Sequence, residues 1–396
     1  MNILHTTMLV GKESYGLGPV ALNLVKEQGI LGNNARIWSF DSQDEIIWAS
    51  QQAGLATGAI SGFPLFGSRR LWFSPRMIKA AYGPDGRGLD IIHQHCLWTS
   101  CSIATNILRK KYGLPTIIAP HGSLDEWALN NSRLKKRIAL TAYQRDNLES
   151  ASCLHALAQS EVERFRRFGL KNPIAVIPNG AVANHGTVPP CPERFRRQFN
   201  LSTDTRIVLF LSRITPKKGL PLLIEAIQSL GETFAGWLLL IAGEDEFNHR
   251  AEIEQLLERH KLTAKIKIIG PLYDRLKEDA FAAAELFVLP SHSEGAPLVI
   301  LESLAAGVPV ITTTASPWEE LNTRQCGWWV DISAQALRHA LAQALPLPAE
   351  RLIIMGQRGR RVVQEGYTWP SAAEKTVRLY RWLCGAGERP DFVVTE

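Results

Sequence analysis

Twelve short apolar runs, many rich in β-branched residues, alternate with helix-like stretches along the whole chain, and this alternation limits the fold more than any other feature. In the first half the runs are "NILHTTML", "ARIWSF", "DIIHQHC", "PTIIAP", "CLHALA" and "IAVIP". In the second they are "RIVLFLS", "GWLLLIAG", "KIKIIG", "ELFVLPS", "VPVITTT" and "GWWVD". Several lack polar alternation, as expected of strands buried on both faces of a parallel sheet. Strands alternating with helices twice over predict an α/β fold with two doubly wound, Rossmann-like domains. A length of 396 residues agrees, since it exceeds what one hydrophobic core usually supports.

The seam is legible as well. "SEVERFRRFGL" predicts a helix capped by Ser160, with Glu163 completing a capping box and Gly169 ending it. The strand "PIAVIP" follows, then "NGAVANHGTVPPCP", which has the Gly, Pro and small polar residues of a linker. The expected domains are therefore 1–180 and 181–396, with a closing helix near 370–385 able to cross back onto the first.

Charge divides along the same line. Residues 1–180 hold 20 Lys+Arg against 13 Asp+Glu, a net +7, while the remainder holds 24 against 25, a net −1. A basic half attracts an anionic partner or simply forms a solvated face. Six scattered cysteines without CxxC pairs read as reduced thiols, which makes the cytoplasm the expected compartment. The start "MNILHTTML" lacks a basic flank and a small-residue cleavage site, arguing against a signal peptide, and no run of ~18 apolar residues predicts a membrane span.

In open α/β sheets ligands bind beyond the carboxyl ends of strands. Two such domains facing each other would make a cleft, so residues just after strands are the candidates. After "RIVLFLS" comes "RITPKKGL", where Arg213, Lys217 and Lys218 beside Gly219 suit a diphosphate, or form a solvated basic turn. After "ELFVLPS" comes "HSEGAPLVILESLAAG", read as an exit loop and a nearly all-apolar helix with Pro297 first and Gly307 ending it. The N-terminus of that helix attracts an anion. Glu294 in the loop and Glu302 on the helix are acceptors for sugar hydroxyls. Each could instead be a structural residue, Glu302 in an internal ion pair and Glu294 exposed on its loop.

The pair Glu294 and Glu302 in "SEGAPLVILESLAAGVPVI" strongly resembles the Glu-x7-Glu signature of retaining glycosyltransferases of family 4, which have the GT-B fold. "LSRITPKKGL", "APHGSLDEWAL", "ALAQSEVERFRRFG" with "VIPNG", and "GYTWPSAAEKTVRLYRWL" resemble further family segments in the expected order. The resemblance implies that Arg213 and Lys218 neutralise the donor diphosphate. It also implies that Glu294, with Gly295, Ala296 and Leu298 around it, holds the transferred sugar, and that Glu302 holds the ribose. His121 and Glu294 would be the residues at the reacting sugar. Gly16 and Gly18 in "YGLGPVAL" resemble the first loop, near the donor phosphate or acceptor, although the family more often shows adjacent glycines there.

The implied reaction is transfer of a hexose-type sugar, with retention, from a UDP- or GDP-linked donor to a glycan or lipid-linked acceptor in cell-surface polysaccharide synthesis. No cofactor and no metal are implied, because Arg213, Lys218 and the helix N-terminus would stabilise the leaving diphosphate. "GSRRLWFSPRMIKAAYG", "LRKKYG" and "RLKKRIALTAYQR" mix cations with apolar residues and could rest on an anionic membrane surface, bind single-stranded nucleic acid, or pack inward. The family resemblance favours the membrane, as a peripheral association at the inner face, and no nucleic-acid partner. Other functions weighed are a sugar-nucleotide epimerase on the same fold, a non-catalytic binding module, and a nicotinamide-dependent oxidoreductase. The last rests on Gly16-x-Gly18-x-x-Ala21 with Asp41 as the ribose acid, but its first glycine lies too far beyond the strand.

Overall fold

The protein is described by a computed structural model covering residues 1–395 apart from 15, 57, 131 and 182–188, with residue 70 described through its backbone alone. The middle of the linker and the Arg70 side chain thus lie outside the described residues. The chain forms two compact units, Met1–Gly180 with Trp369–Glu396, and Ala181–Thr368.

The first unit is built on strands β1 (Asn2–Thr6), β2 (Asn34–Ser39), β3 (Ile60–Gly62), β4 (Ile91–Gln94), β5 (Thr116–Ile118), β6 (Cys153–Ala156) and β7 (Ile174–Val176). The second carries β8 (Arg206–Leu211), β9 (Trp237–Ala242), β10 (Ile266–Gly270), β11 (Leu286–Leu289), β12 (Val310–Thr313) and β13 (Gly327–Val330). A last short strand, β14 (Val393–Val394), returns to pair antiparallel with β7. The sheet orders are β14-β7-β6-β5-β4-β1-β2-β3 and β10-β9-β8-β11-β12-β13. In both, the strand order reverses beside the first strand, which is the doubly wound pattern of Rossmann-like domains and together makes the GT-B fold. The two reversal points, β1/β4 and β8/β11, are where each sheet opens a crevice at its strand ends.

All twelve apolar runs are strands. The two strands without a sequence signal, β3 and β14, are short edge strands. The apolar strands β8, β9, β11 and β12 are packed on both faces, with Val208, Leu209, Phe210, Leu239 and Leu240 wholly buried. The second unit ends at Thr368, not at 396. Residues 369–396 belong to the first unit because the helix Trp369–Leu383 places Thr376 and Tyr380 against Gln28, which donates to both hydroxyls at 3.1 Å.

The expected capping box at Ser160 is not formed. The helix runs from Gln159 to Arg167 with Ala158 as its N-cap, and the Ser160 hydroxyl is buried without a hydrogen-bond partner. Glu161, not Glu163, turns back to the chain, accepting from the Leu157 amide at 2.7 Å. Glu161 points inward and Glu163 outward, so only the former can reach a buried amide. Within the segment Gly67–Gly83 the helix Pro75–Tyr82 is capped by Ser74 and buries Met77 and Ala81, while Leu71, Phe73 and Tyr82 stay exposed near exposed Arg69, Arg76 and Lys79. Among the described residues, no helix is long and apolar enough to cross a membrane.

Candidate functional site

The second unit gathers most of the candidates at the reversal between β8 and β11. Lys218 follows β8 in a short turn, Pro216–Lys218, and Gly219 then opens the helix Leu220–Leu230. Gly219 has φ +67°, and a Cβ there would lie 2.0 Å from the Pro290 carbonyl oxygen just after β11. The two strand exits are therefore in backbone contact, which only a glycine permits. His292 donates its backbone N–H to the Lys217 carbonyl at 2.8 Å, reinforcing the same contact.

This approach delivers Lys218 to Glu294. The Lys218 Nζ donates to Glu294 Oε1 at 2.6 Å, and the Ser291 hydroxyl donates to the same oxygen at 2.6 Å. Both charged side chains are nearly sealed, at 10% and 8% exposure. Burial alone would raise the Glu294 pKa, but Lys218, Lys217 and the Ser291 hydroxyl outweigh it and hold the carboxyl below its usual range. Glu294 is thus not exposed on its loop but sealed against Lys218. A sealed carboxylate needs a partner in the folded chain itself, and Lys218 is that partner.

Gly295 and Ala296 follow, half-buried, and Pro297 is the N-cap, not the first residue, of the helix Leu298–Ala306. Gly307 ends that helix in the left-handed conformation, φ +79°. Ile300, Leu301 and Leu304 are buried, each contributing roughly 1.5–3 kcal/mol, and they fix where the helix N-terminus sits. Leu298 opens the helix, half-buried against the core. Glu302 is one turn further in, paired with Lys277 at 2.6 Å, and both are about a third exposed. The two glutamates are therefore each lysine-bound, one sealed and one open to solvent. Arg213 donates to Glu246 at 2.7 Å, and the backbone beside it is stitched to the β9 exit through Ile214 N–H to Glu244 O at 2.7 Å. Glu246 and Lys277 carried no recognisable signal in the sequence, because each is defined only by the neighbouring strand or helix it faces.

In the first unit, His121 follows β5 with φ 48°, a strained value for a residue with a Cβ, and Gly122 continues it at φ 73°. Glu161 holds this turn, accepting the Gly122 N–H at 3.2 Å through one oxygen and the Leu157 N–H through the other. Burial pushes the Glu161 carboxyl up to about 7. The His121 Nε2 lies 3.2 Å from His95 Nδ1.

Gly16 and Gly18 sit at the start of the helix Leu17–Ile30, Gly16 as its N-cap with open space around it. Gly18 has no such space: a Cβ would meet the Ser14 hydroxyl at 2.1 Å. Asp41, the acid that a dinucleotide fingerprint requires, accepts from the Val10 and Gly11 amides at 2.7 and 3.0 Å. Its carboxylate is committed to the first loop, so the oxidoreductase reading loses its ribose acceptor.

Comparison with known proteins agrees with the two-domain fold. The family described as "Glycosyl transferase 4-like domain" matches residues 16–180, and "Glycosyl transferases group 1" matches 192–362. The GDP-mannose-dependent alpha-(1-6)-phosphatidylinositol dimannoside mannosyltransferase of Mycobacterium tuberculosis is 28% identical over 270 residues, 67% of this chain and 67% of that protein. The chain spans about half the length of the first curated relatives it matches. Sucrose-phosphate synthase from Thermosynechococcus elongatus shares the fold with a TM-score of 0.78 at 21% identity, covering 98% of this chain and 100% of that one. The Anabaena protein Alr3699/HepE in complex with UDP-glucose shares it at 0.77 and 19% identity, covering 96% and 99%. The chain has the GT-B fold, and it is related to the glycosyl transferase 4-like family through its first domain and to the glycosyl transferases group 1 family through its second.

Proposed function

We propose that the protein transfers a hexose-type sugar, with retention at the anomeric carbon, from a UDP- or GDP-linked donor to a glycan or lipid-linked acceptor in cell-surface polysaccharide synthesis. The observation that carries this reading is the sealed Lys218–Glu294 pair at the β8/β11 reversal, beside a helix N-terminus. On donor binding the pair opens. Lys218 moves to the diphosphate, with Arg213 beside it, and Glu294 exchanges the lysine for hydroxyls of the transferred sugar. Neither charge is left uncompensated, because the ligand carries both kinds of partner. Glu302, already on the open side of its helix, takes the ribose hydroxyls. Gly295, Ala296 and Leu298 supply the backbone of the loop and first turn, whose N–H groups favour an anion. His121 acts at the reacting sugar, and the Gly16–Gly18 loop serves the phosphate or the acceptor. The leaving diphosphate is stabilised by these cations and needs no metal.

A thermal-shift screen of UDP-, GDP- and ADP-sugars tests the site. One nucleotide class should stabilise the wild type, by about 2.7 kcal/mol at a hundred times Kd. Glu294→Ala and Lys218→Ala should lose that response. No response to any nucleotide sugar, or equal responses from the variants, would remove the assignment. Turnover should survive EDTA, and an activity restored only by a divalent cation would refute the metal-free mechanism. An epimerised donor without transfer would favour the epimerase.

A membrane acceptor is supported by the helix Arg133–Ala139, where Leu134 and Ile138 are 72% and 63% exposed between exposed Arg133, Lys135 and Arg137. Cations flanking exposed apolar side chains suit an anionic bilayer surface. The name of the mycobacterial relative also specifies a phosphatidylinositol dimannoside for that protein. Sedimentation with anionic vesicles should be salt-sensitive and weakened by Leu134→Glu with Ile138→Glu. Equal recovery of wild type and variant in the supernatant would argue against a membrane role.

A further inference from the structure

Below the β1/β4 reversal of the first unit lie four buried histidines, His5, His93, His95 and His155, and His121 adjoins them. Their ring nitrogens, with Gln28 and Tyr380, form one unbroken series of hydrogen bonds. The series has a direction, which can be derived from its far end.

The Ile177 carbonyl can only accept, so His155 carries its hydrogen on Nε2, 2.7 Å away. Burial lowers His5 and His155 to about 4 and His121 to about 3, and holds His93 and His95 well below the usual value. Each ring is therefore neutral near pH 7 and bears a single hydrogen. His155 Nδ1 must then accept from His93 Nε2–H at 3.2 Å, and His93 Nδ1 accepts the Tyr380 hydroxyl hydrogen at 2.7 Å. The Thr376 hydroxyl gives its own hydrogen to the Ala373 carbonyl at 2.8 Å. With both hydroxyl hydrogens used, Tyr380 and Thr376 can only accept from Gln28 Nε2, each at 3.1 Å.

The Gln28 amide is thereby oriented, and its Oε1 accepts His5 Nε2–H at 2.8 Å. His5 Nδ1 accepts from His95 Nε2–H at 2.8 Å, and His95 Nδ1 accepts from His121 Nε2–H at 3.2 Å. The last ring is left with its lone pair on Nδ1. We propose that Gln28 is a positioning residue that fixes His121 as the Nε2–H tautomer, so that His121 meets its ligand as a neutral acceptor and selects a hydroxyl there over a phosphate or carboxylate. The identity of that hydroxyl as the transferred sugar's rests on the proposed transferase function. His5, His93 and His95 also have nitrogens within 4.8 Å of one another, close enough to share a metal ion. Every ring nitrogen lone pair of the three is already engaged as an acceptor in this series, and a metal would have to break it.

The test is a long-range proton–nitrogen correlation spectrum of the full chain labelled with 15N-histidine, the His121 signals being assigned by their loss in His121→Gln. The wild type should show His121 with its hydrogen on Nε2. In Gln28→Met the orientation is released, and His121 should become a tautomer mixture. The kcat of that variant should fall roughly five- to tenfold, the size of one neutral hydrogen bond, with donor KM unchanged. A wild-type His121 with its hydrogen on Nδ1 would overturn the proposal, and this reading needs no variant to fold. So would stoichiometric bound metal, or a Gln28→Met spectrum identical to wild type. An intact Nε2–H signature in a protein that transfers no sugar would uphold the hydrogen-bond series while refuting the transferase reading.

Discussion

Lys218→Met will lower transfer by about 10³-fold and will also destabilise the second unit by roughly 3 kcal/mol at neutral pH. Two separate causes converge on one side chain. In the proposed reaction the lysine would be a cation for the leaving diphosphate, and in the folded chain it is the principal charge partner of a carboxylate that is 8% exposed. Methionine keeps the length and apolar stem but leaves Glu294 sealed beside Ser291 with only the weaker influence of Lys217. In the wild type the folded-state pKa of Glu294 lies below its unfolded value of 4.5. The pair therefore contributes stability that is fully present above 4.5 and is lost as pH falls through the folded value. In the variant burial dominates and the sign reverses, so the deficit is largest at neutral pH and shrinks in acid as the carboxyl takes a proton. Urea titrations at pH 5 and pH 8 would show this. Adding Glu294→Gln to the variant should restore much of the stability and none of the turnover. Equal deficits at both pH values would mean that Glu294 is not sealed as described.

Gly219→Ala should cost more than about 3 kcal/mol and lower the melting temperature by roughly 6–10 °C. Part of this is the left-handed backbone, which costs any residue with a Cβ about 1–2 kcal/mol. The rest is the new Cβ, placed 2.0 Å from the Pro290 carbonyl oxygen, so that one strand exit must move off the other. That movement separates Lys218 from Glu294, and nucleotide-sugar binding should go with it. Gly236→Ala is the control. Gly236 has a similar φ of +78°, but a Cβ there would meet nothing within 4 Å, and the variant should lose only the backbone part. If the two variants melt alike, the close approach of the β8 and β11 exits is not what holds the site.

The residues that sequence reading singled out fall into two kinds. Lys218, Glu294 and the helix after Pro297 were legible because local pattern determines them: a strand, a glycine-bearing turn, an apolar helix with its stop at Gly307. Glu246, Lys277, Glu161 and Gln28 were not, because nothing local distinguishes them from surface residues on their own helices and loops. Glu163 was chosen over Glu161 on capping spacing alone, and the choice failed because the inward face of that helix is set by β6 and the His121 turn.

Alternating apolar runs and turn residues were enough to specify two doubly wound sheets and to point to the ends of β8 and β11. These are short-range properties, since hydrophobic period and turn chemistry act within a few residues. The pairing of charges was decided only by the tertiary structure. Partners such as Lys218 and Glu294, 76 positions apart, meet because strand order brings two exits together, and burial then makes that meeting obligatory. The same holds for the tautomer of His121, which is set by a carbonyl at Ile177 through residues drawn from both ends of the chain.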